Sequence, residues 1–141
     1  MEHKPWSVAR LDEIPARGLA ADPSYWLQWA RSSGFGRRWR SIRHHFGITG
    51  FGANSNEAAA GEELVVPHDE IAFGGQEELY LVLHGRARFV CDGEEVELGE
   101  GELLYVRPEV RREAVALETP TLLFMVGGVP GGPYVPWPGD S

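Results

Sequence analysis

Two side chains of metal-ligand type lie two positions apart near the middle of the chain. His68 and Glu70 flank Asp69, and residues two apart on an extended strand point to the same face. Glu78, on the next predicted strand, would join them across the sheet. A transition-metal ion needs several such donors at about 2.0–2.2 Å from one point. The spacing therefore predicts a candidate metal site formed by His68, Glu70 and Glu78.

Two other interpretations fit the same residues. In the first, residues 67–70 form a solvated acidic turn, because charged turns are common and one histidine is a weak ligand signature. In the second, Glu78 pairs with an arginine, for which the candidates are Arg86, Arg107 and Arg112. A carboxylate among inward-facing apolar residues is costly unless a metal ion or another cation compensates its charge. Either partner would leave a polar pocket for a small molecule.

The remaining reactive side chains give weaker predictions. His84 borders a glycine turn and is expected at the rim of the fold. His44 and His45 follow a basic run with one tryptophan, and we expect this segment to contact the acidic body or a second subunit. Cys91 has no neighbouring histidine or second cysteine, so a nucleophilic role is not expected. The sequence contains no Gly-x-Ser-x-Gly motif.

Length and composition limit the class of protein. The 141 residues suit one domain, and glycine and proline make up about a fifth of them, which favours short strands and turns. The formal net charge of −8 makes a nucleic-acid partner unexpected. Because no apolar run of about 18 residues and no apolar leader are present, we expect no membrane insertion and no secretion. A single cysteine suits a reducing cytoplasm, which is the predicted location.

The spacing of strands and turns predicts an all-β body. Asp92 and Gly93 separate two β-rich segments, and a two-residue Asp-Gly loop is a strong hairpin signal because both positions need positive φ. Further strands are predicted within residues 41–52, 78–85, 102–106, 112–117 and 121–126. Residues 54–63 are expected to form a loop.

The two ends of the chain differ from this β-body. A short helix is predicted over residues 23–33, because a capping residue and a proline precede it and a glycine follows it. The last residues are rich in glycine and proline, with an aromatic residue docked on the body. We therefore expect an N-terminal arm with a short helix over 1–39, a β-body over 40–128 and a tail over 129–141.

The segment from Gln76 to Phe89 resembles the first motif of the cupin superfamily. That motif ends in a glutamate, six residues and a glycine, which Glu78 and Gly85 match. The following hairpin and the segment 99–108 resemble the chain between the first and second cupin motifs. The similarity covers roughly residues 64–128 and implies a jelly-roll β-barrel, also called a double-stranded β-helix, with a pocket in its mouth.

The resemblance is incomplete at the positions that bind metal in other cupins. The His-x-His pair expected before the motif glutamate is absent, because residues 71–74 contain no histidine. In the second motif, Glu113 occupies the histidine position. A site of one histidine and three carboxylates would favour hard ions such as Mn²⁺ or Mg²⁺; its members would be His68, Glu70, Glu78 and Glu113. If a cofactor binds, the resemblance implies a divalent metal, with manganese, iron, nickel or zinc as candidates.

The pocket implied by the resemblance is expected to have a polar floor and aromatic walls. Residue parity and the two motifs assign it Phe73, Glu78, Tyr80, Tyr105, Arg112 and Glu113. The missing histidines favour a protein that binds or senses a small molecule. The alternatives are a metal-dependent enzyme (an oxygenase, isomerase or lyase) that uses the His/carboxylate site, and a partner-binding protein that works through its arm and tail. We expect a homodimer, since cupins commonly pair through their sheets.

Overall fold

A computed structural model describes residues 4–16 and 29–137. Within this part of the chain, the strands in order are β1 Arg40–Ser41, β2 Gly52–Ala58, β3 Glu63–His68, β4 Glu77–His84, β5 Arg86–Cys91, β6 Glu94–Gly99, β7 Leu103–Val106, β8 Arg112–Ala116 and β9 Thr121–Gly128. One short α-helix, α1, spans Ile42–Phe46, and one-turn 3₁₀ helices span Leu11–Glu13 and Ile71–Phe73. The predicted all-β class is confirmed.

The described strands form two antiparallel sheets. The first has the order β1-β2-β9-β4-β7, and the second has the order β3-β8-β5-β6. Side chains from both sheets meet in a single core. The sheets are not hydrogen-bonded to each other into a closed ring, so the interior is reached from the gaps between them.

Alternation along β4 and β9 decides which of their side chains enter this core. On β4, Tyr80 and Val82 are fully buried, whereas Leu79 and Leu83 are exposed. On β9, Leu123 and the other odd-numbered residues face inward in the same way. Because successive side chains of a strand point to opposite faces, the even positions of β4 and the odd positions of β9 line one interior.

The hairpin between β5 and β6 has the predicted geometry. Asp92 has φ of 48° and Gly93 has φ of 86°. The two strands pair in register from Arg86 opposite Gly99 to Cys91 opposite Glu94. A two-residue loop with two positive φ angles matches the twist of the flanking strands, which explains why the Asp-Gly signal is reliable here.

Three local predictions differ from the structure. Residues 29–33 form turns and bends instead of the end of a helix, and residues 23–28 lie outside the described part of the chain. Most of the predicted loop 54–63 is strand, because β2 pairs with β9 along its whole length. A strand was expected where α1 forms. The Ser41 side chain accepts a hydrogen bond from the backbone N of His44 at 3.3 Å, and Gly47 ends the helix with φ of 71°.

The arm and the tail lie against the same end of the core. The backbone N and the Nε of Arg31 donate to the buried carboxylate of Glu63 at 2.8 and 2.7 Å. Trp39, at the end of the arm, is buried and packs against Trp137 of the tail with ring centroids 5.3 Å apart. No helix in the described ranges is long and apolar enough to cross a bilayer.

Candidate functional site

A cavity opens between the two sheets beneath the arm and the tail. Its volume is about 530 Å³ when the part open to solvent is counted, and the space that water centres can occupy is about 40 Å³, which is room for about three waters. Its aromatic walls comprise Phe35, Trp39, Tyr80, Tyr134 and Trp137. Its polar lining comprises Asn54, His68, Glu70, Gln76 and Glu78. Apolar walls with few polar groups are typical of small-molecule sites.

Four side chains form one charged cluster at the floor of the cavity: His68, Glu70 and Glu78 line the cavity, and the fully buried Arg112 contacts two of them. His68 Nε2 lies 2.9 Å from Glu70 Oε1 and 3.8 Å from Glu78 Oε1. Arg112 Nη1 lies 3.5 Å from each of the same two carboxylate oxygens. The Tyr80 hydroxyl donates to Glu78 Oε1 at 2.8 Å. We call His68, Glu70, Glu78 and Arg112 the floor cluster.

Elements of both sheets bring these residues together. His68 ends β3 and stands opposite Arg112 on β8, so the two side chains start from paired positions of one sheet. Glu78 lies on β4 of the other sheet, and its inward face is set by the same parity that buries Tyr80. Glu70 follows β3 and is 3% exposed, which excludes the solvated acidic turn considered for residues 67–70.

The ring of His68 is held at both nitrogens. Nδ1 donates to the carbonyl oxygen of Val66 at 2.6 Å, and Nε2 faces the carboxyl of Glu70. A carbonyl only accepts, so Nδ1 carries a proton, and the other nitrogen points into the cluster. This arrangement suits a protonated imidazole between carboxylates, and it also suits a neutral imidazole that offers Nε2 to a metal ion.

The cluster shifts the pKa values of its members in opposite directions. Burial disfavours charge on His68, but hydrogen bonds to Glu70 and Glu78 outweigh it and raise the pKa of His68 from 6.5 to about 9. Burial, together with the negative charge of Glu78, raises the pKa of Glu70 from 4.5 to about 7. For Glu78, burial is outweighed by hydrogen bonds from His68 and Glu70 and by the Arg112 charge, which lower its pKa from 4.5 to about 2. Near neutral pH, Glu78 is therefore ionised, and Glu70, with a pKa of about 7, is ionised in part.

Arg112 is the unusual member of the cluster because its side chain is fully buried. Nη2 donates to the backbone oxygen of Arg107 at 2.8 Å. Nε and Nη1 have no hydrogen-bond partner among the described residues, although Nη1 stays within ion-pair distance of Glu70 and Glu78. A buried guanidinium without a counter-charge would strongly destabilise the fold. The burial of Arg112 therefore requires the two carboxylates, and their burial requires Arg112.

The structure brings most of the predicted site residues together but separates two of them. Tyr80 lines the cavity as predicted from its parity with Glu78. Tyr105 was assigned to the pocket wall, but it stands opposite Leu79 on the outward face, is exposed, and donates to Glu77 at 2.8 Å. The assignment of Tyr105 is therefore corrected. Phe73 lies in a 3₁₀ helix, and its side chain is outside the described part of the structure.

Glu113 also lies outside the cavity. Arg112 faces inward on β8, so the next residue must face outward. The Glu113 carboxylate lies 3.0 Å from Arg31 Nη2, on the outer surface where Arg31 also holds Glu63. The predicted fourth carboxylate of the site is thus part of the attachment of the arm. Arg112 and Glu113 could not both have entered one pocket, because they are adjacent on a strand.

The other reactive residues lie away from the cavity floor. His84 is exposed and pairs with Glu100 at 2.9 Å, in agreement with the predicted rim position. Burial raises the pKa of the Cys91 thiol, which disfavours the reactive thiolate. Arg43 contacts His44 at 2.9 Å, and its guanidinium lies 5.8 Å from the ring centroid of Tyr134 in the tail. The basic segment thus contacts the tail beside the cavity.

The donor atoms of the floor cluster meet part of what a divalent metal ion needs. His68, Glu70 and Glu78 can each offer one ligand atom, and these atoms lie within 4.8 Å of one another. Ligand atoms bound at about 2.0–2.2 Å to one ion lie at most about 4.4 Å apart, and the distances of 2.9 and 3.8 Å from His68 Nε2 to Glu70 and Glu78 are within that limit. The three donor atoms can therefore bind one ion. However, Arg112 Nη1 faces both carboxylates at 3.5 Å. The Arg112 guanidinium would compete with that ion for the negative charge of Glu70 and Glu78.

Sequence reasoning missed several residues of the cavity. Gln76 lies two positions before Glu78 and shares its face, so the same parity argument would have found it. Trp39 and Asn54 come from the part of the chain that the cupin resemblance does not cover, and no local pattern assigns them to the pocket. Trp137 reaches the cavity only because the tail folds back after β9.

Comparisons with known proteins agree with this architecture. The family model described as "Cupin domain" matches residues 74–127. A Cupin 2 conserved barrel domain protein from Salinispora arenicola superposes with a TM-score of 0.60 at 17% identity, over 89% of this chain and 90% of that chain. A cupin protein from Bacteroides fragilis gives 0.59 at 22% identity, over 79% and 89%. No curated protein matches the sequence.

An enzyme is also among the similar structures. A sugar phosphate isomerase from a cupin superfamily, from Silicibacter pomeroyi, gives a TM-score of 0.56 at 19% identity, and the match covers 64% of this chain and 57% of that chain. Likenesses at such identities show the fold. Residues 74–127 match the model of a cupin domain, and the two sheets have the jelly-roll architecture of these solved structures. This fold hosts many activities, so the fold alone does not define a function.

Proposed function

We propose that this protein binds a small molecule in the cavity between its sheets, with the floor cluster acting as a metal-free polar floor. The observation that carries the proposal is the fully buried guanidinium of Arg112, 3.5 Å from one oxygen each of Glu70 and Glu78. In many proteins a metal ion would supply the positive charge that such carboxylates need. Here an arginine and a protonated histidine supply it.

Several features make the cavity suitable for recognition rather than for packing alone. Aromatic rings from the arm, from β4 and from the tail surround a floor that presents charged and hydrogen-bonding groups. Gln76 Nε2 donates to the carbonyl of Val135 at 2.5 Å, which ties the tail across the entrance. A bound molecule would contact residues far apart in sequence, so binding would link the arm, the tail and the barrel. Such a link is what a sensing protein needs.

The experiment is a thermal-shift screen of a metabolite collection against the wild type and two variants. Glu78→Gln neutralises the carboxylate of the cavity floor. Glu77→Gln is the matched control, because Glu77 is the adjacent glutamate and binds Tyr105 on the outer face. We expect compounds that stabilise the wild type and Glu77→Gln, and whose effect is lost in Glu78→Gln. Compounds that act equally on all three chains, or no active compound at all, would contradict the proposal.

A metal-dependent enzyme is the second candidate function, and the convergence of His68, Glu70 and Glu78 favours it. When bound, a divalent ion would act there as a Lewis acid. His68, Glu70 and Glu78 would be its ligands, and Arg112 would hold the two carboxylates in place. Elemental analysis of protein purified without chelator or a metal-affinity tag decides between the candidates. About one ion per chain, lost in His68→Ala, would favour the enzyme; no ion in either chain favours the metal-free pocket.

A further inference from the structure

Two buried polar atoms of residues that line the cavity have no hydrogen-bond partner among the described residues. They are Nε1 of Trp39 and Oε2 of Glu70. Trp39 is 5% exposed and Glu70 is 3% exposed. An unpaired buried donor or acceptor costs about 1–3 kcal/mol, so each such atom in a native protein requires an explanation. A bound molecule that pairs both atoms would provide one.

The two atoms have opposite requirements. The indole Nε1 of Trp39 can only donate a hydrogen bond. The Oε1 atom of Glu70 is the oxygen that meets His68 and Arg112, which leaves Oε2 of the ionised carboxylate as an acceptor. A ligand must therefore accept at one point and donate at another within the same cavity.

Hydroxyl groups meet both requirements, because each can donate and accept. A carboxylate or phosphate could accept from Trp39, but it brings no donor to Glu70 and would compete with Glu70 and Glu78 for Arg112. An ammonium group could donate to Glu70, but it cannot accept from Trp39 and would be repelled by Arg112. Because Arg112 and His68 already pair with Glu70 and Glu78, a charged ligand of either sign meets no unpaired counter-charge at the floor, which favours a neutral molecule.

The walls add a requirement for flat apolar surface. Trp39 and Trp137 present two rings with centroids 5.3 Å apart at an angle of 39°, and Tyr80 and Tyr134 also line the cavity. The C–H faces of a saturated ring pack well against aromatic faces, while hydroxyl groups at the edge of that ring reach polar groups. A compound with several hydroxyl groups on a compact carbon ring satisfies the walls and the two unpaired atoms together.

We propose that the cavity binds a neutral polyhydroxylated ring compound of the monosaccharide or cyclitol class. One of its hydroxyl groups donates to Glu70 Oε2, and another accepts from Trp39 Nε1. This inference rests on the proposed function and names its ligand class. The space for water centres holds about three waters, so ring entry requires outward movement of Trp137 and the rest of the tail.

The test is a titration of ¹⁵N-labelled full-length protein with six probes. The neutral probes are D-glucose, D-galactose, D-xylose and myo-inositol, and the charged analogues are D-glucuronate and D-glucosamine. The indole N–H signal of Trp39, assigned by its absence in Trp39→Phe, reports on the donor. We expect at least one neutral probe to shift this signal in a saturable way and to bind about tenfold more tightly than its charged analogues.

Two variants test the assigned contact by calorimetry with the best neutral probe. Trp39→Phe keeps the aromatic ring but removes the donor, and we expect it to weaken binding about three- to tenfold, as for one lost hydrogen bond. Trp6→Phe is the matched control, because Trp6 is 63% exposed in the arm, and it should leave binding unchanged. Equal affinity of Trp39→Phe and Trp6→Phe would overturn the contact.

The outcomes separate this inference from the proposed function. Tighter binding of glucuronate or glucosamine than of every neutral probe overturns the ligand class and leaves a small-molecule pocket in place. If no neutral probe shifts the Trp39 signal, the titration is repeated with Trp137→Ala, which removes the ring beside Trp39 at the entrance. No shift in either chain overturns the ligand class, and the metabolite screen then reports independently on the pocket.

Discussion

Replacing Arg112 with methionine tests whether the floor cluster is held together by its own charges. Methionine keeps most of the length of the side chain but removes the guanidinium. The two carboxylate oxygens 3.5 Å away lose a fixed cation, and the Arg107 carbonyl loses the donor at 2.8 Å. Removing one partner of a buried ion pair typically costs about 3–5 kcal/mol, because an uncompensated charge remains.

The structure places this cost at the lower end of the range. His68 stays 3.8 Å from Glu78, and it can carry the compensating positive charge. Glu70 can take up a proton near neutral pH, because its pKa is already raised to about 7. We therefore expect Arg112→Met to lower the free energy of unfolding by about 3 kcal/mol. With a urea m-value of about 2 kcal/mol/M, the unfolding midpoint falls by about 1.5 M.

The assay is urea unfolding at pH 7, followed by tryptophan fluorescence and circular dichroism. Arg111→Met is the matched control, because Arg111 is the adjacent arginine and its side chain is exposed; its effect should stay within about 0.5 kcal/mol. Combining Arg112→Met with Glu78→Gln should cost less than the sum of the single changes by at least about 1 kcal/mol, since both charges then leave together. Equal midpoints for the two arginine variants, or strict additivity, would refute the reasoning.

Three further predictions concern pH, assembly and the arm. The pKa of His68 is raised from 6.5 to about 9, so its stabilisation is complete below pH 6.5 and is lost as the pH rises through 9. Wild-type stability should therefore fall by about 3 kcal/mol across this window relative to His68→Gln, as measured by urea unfolding at several pH values. Light scattering of the wild type should give twice the chain mass of 15.6 kDa. Leu103 lies on the exposed face of the edge strand β7, and the variant Leu103→Lys should give the mass of a single chain. A wild-type monomer at micromolar concentration would contradict the predicted dimer. Glu63→Gln should release the arm and increase proteolysis near Arg31, because the buried Glu63 carboxylate accepts two hydrogen bonds from that residue; an unchanged cleavage rate would rule out this attachment.

Local sequence signals were sufficient for the all-β class and for three of the four members of the floor cluster. The Asp92–Gly93 turn needs positive φ at both positions, and alternation with period two buries Tyr80 beside Glu78 in any sheet that covers this face. The same alternation predicted that His68 and Glu70 share one side, although Glu70 lies just after the end of β3. These signals depend on a few neighbouring residues, so they can be interpreted without knowing where the chain goes next.

Only the tertiary structure decided what surrounds Glu78. His68 and Arg112 face each other because β3 pairs with β8 in a shifted register, and a shift of one residue would have turned Glu113 inward instead of Arg112. Trp39 and Trp137 come from opposite ends of the chain and meet over the cavity. Register between distant strands and the path of irregular segments depend on long-range packing, which no local pattern encodes. For this reason the sequence could propose Arg112 and a metal ion as alternative partners of Glu78, whereas the folded chain places the arginine beside it.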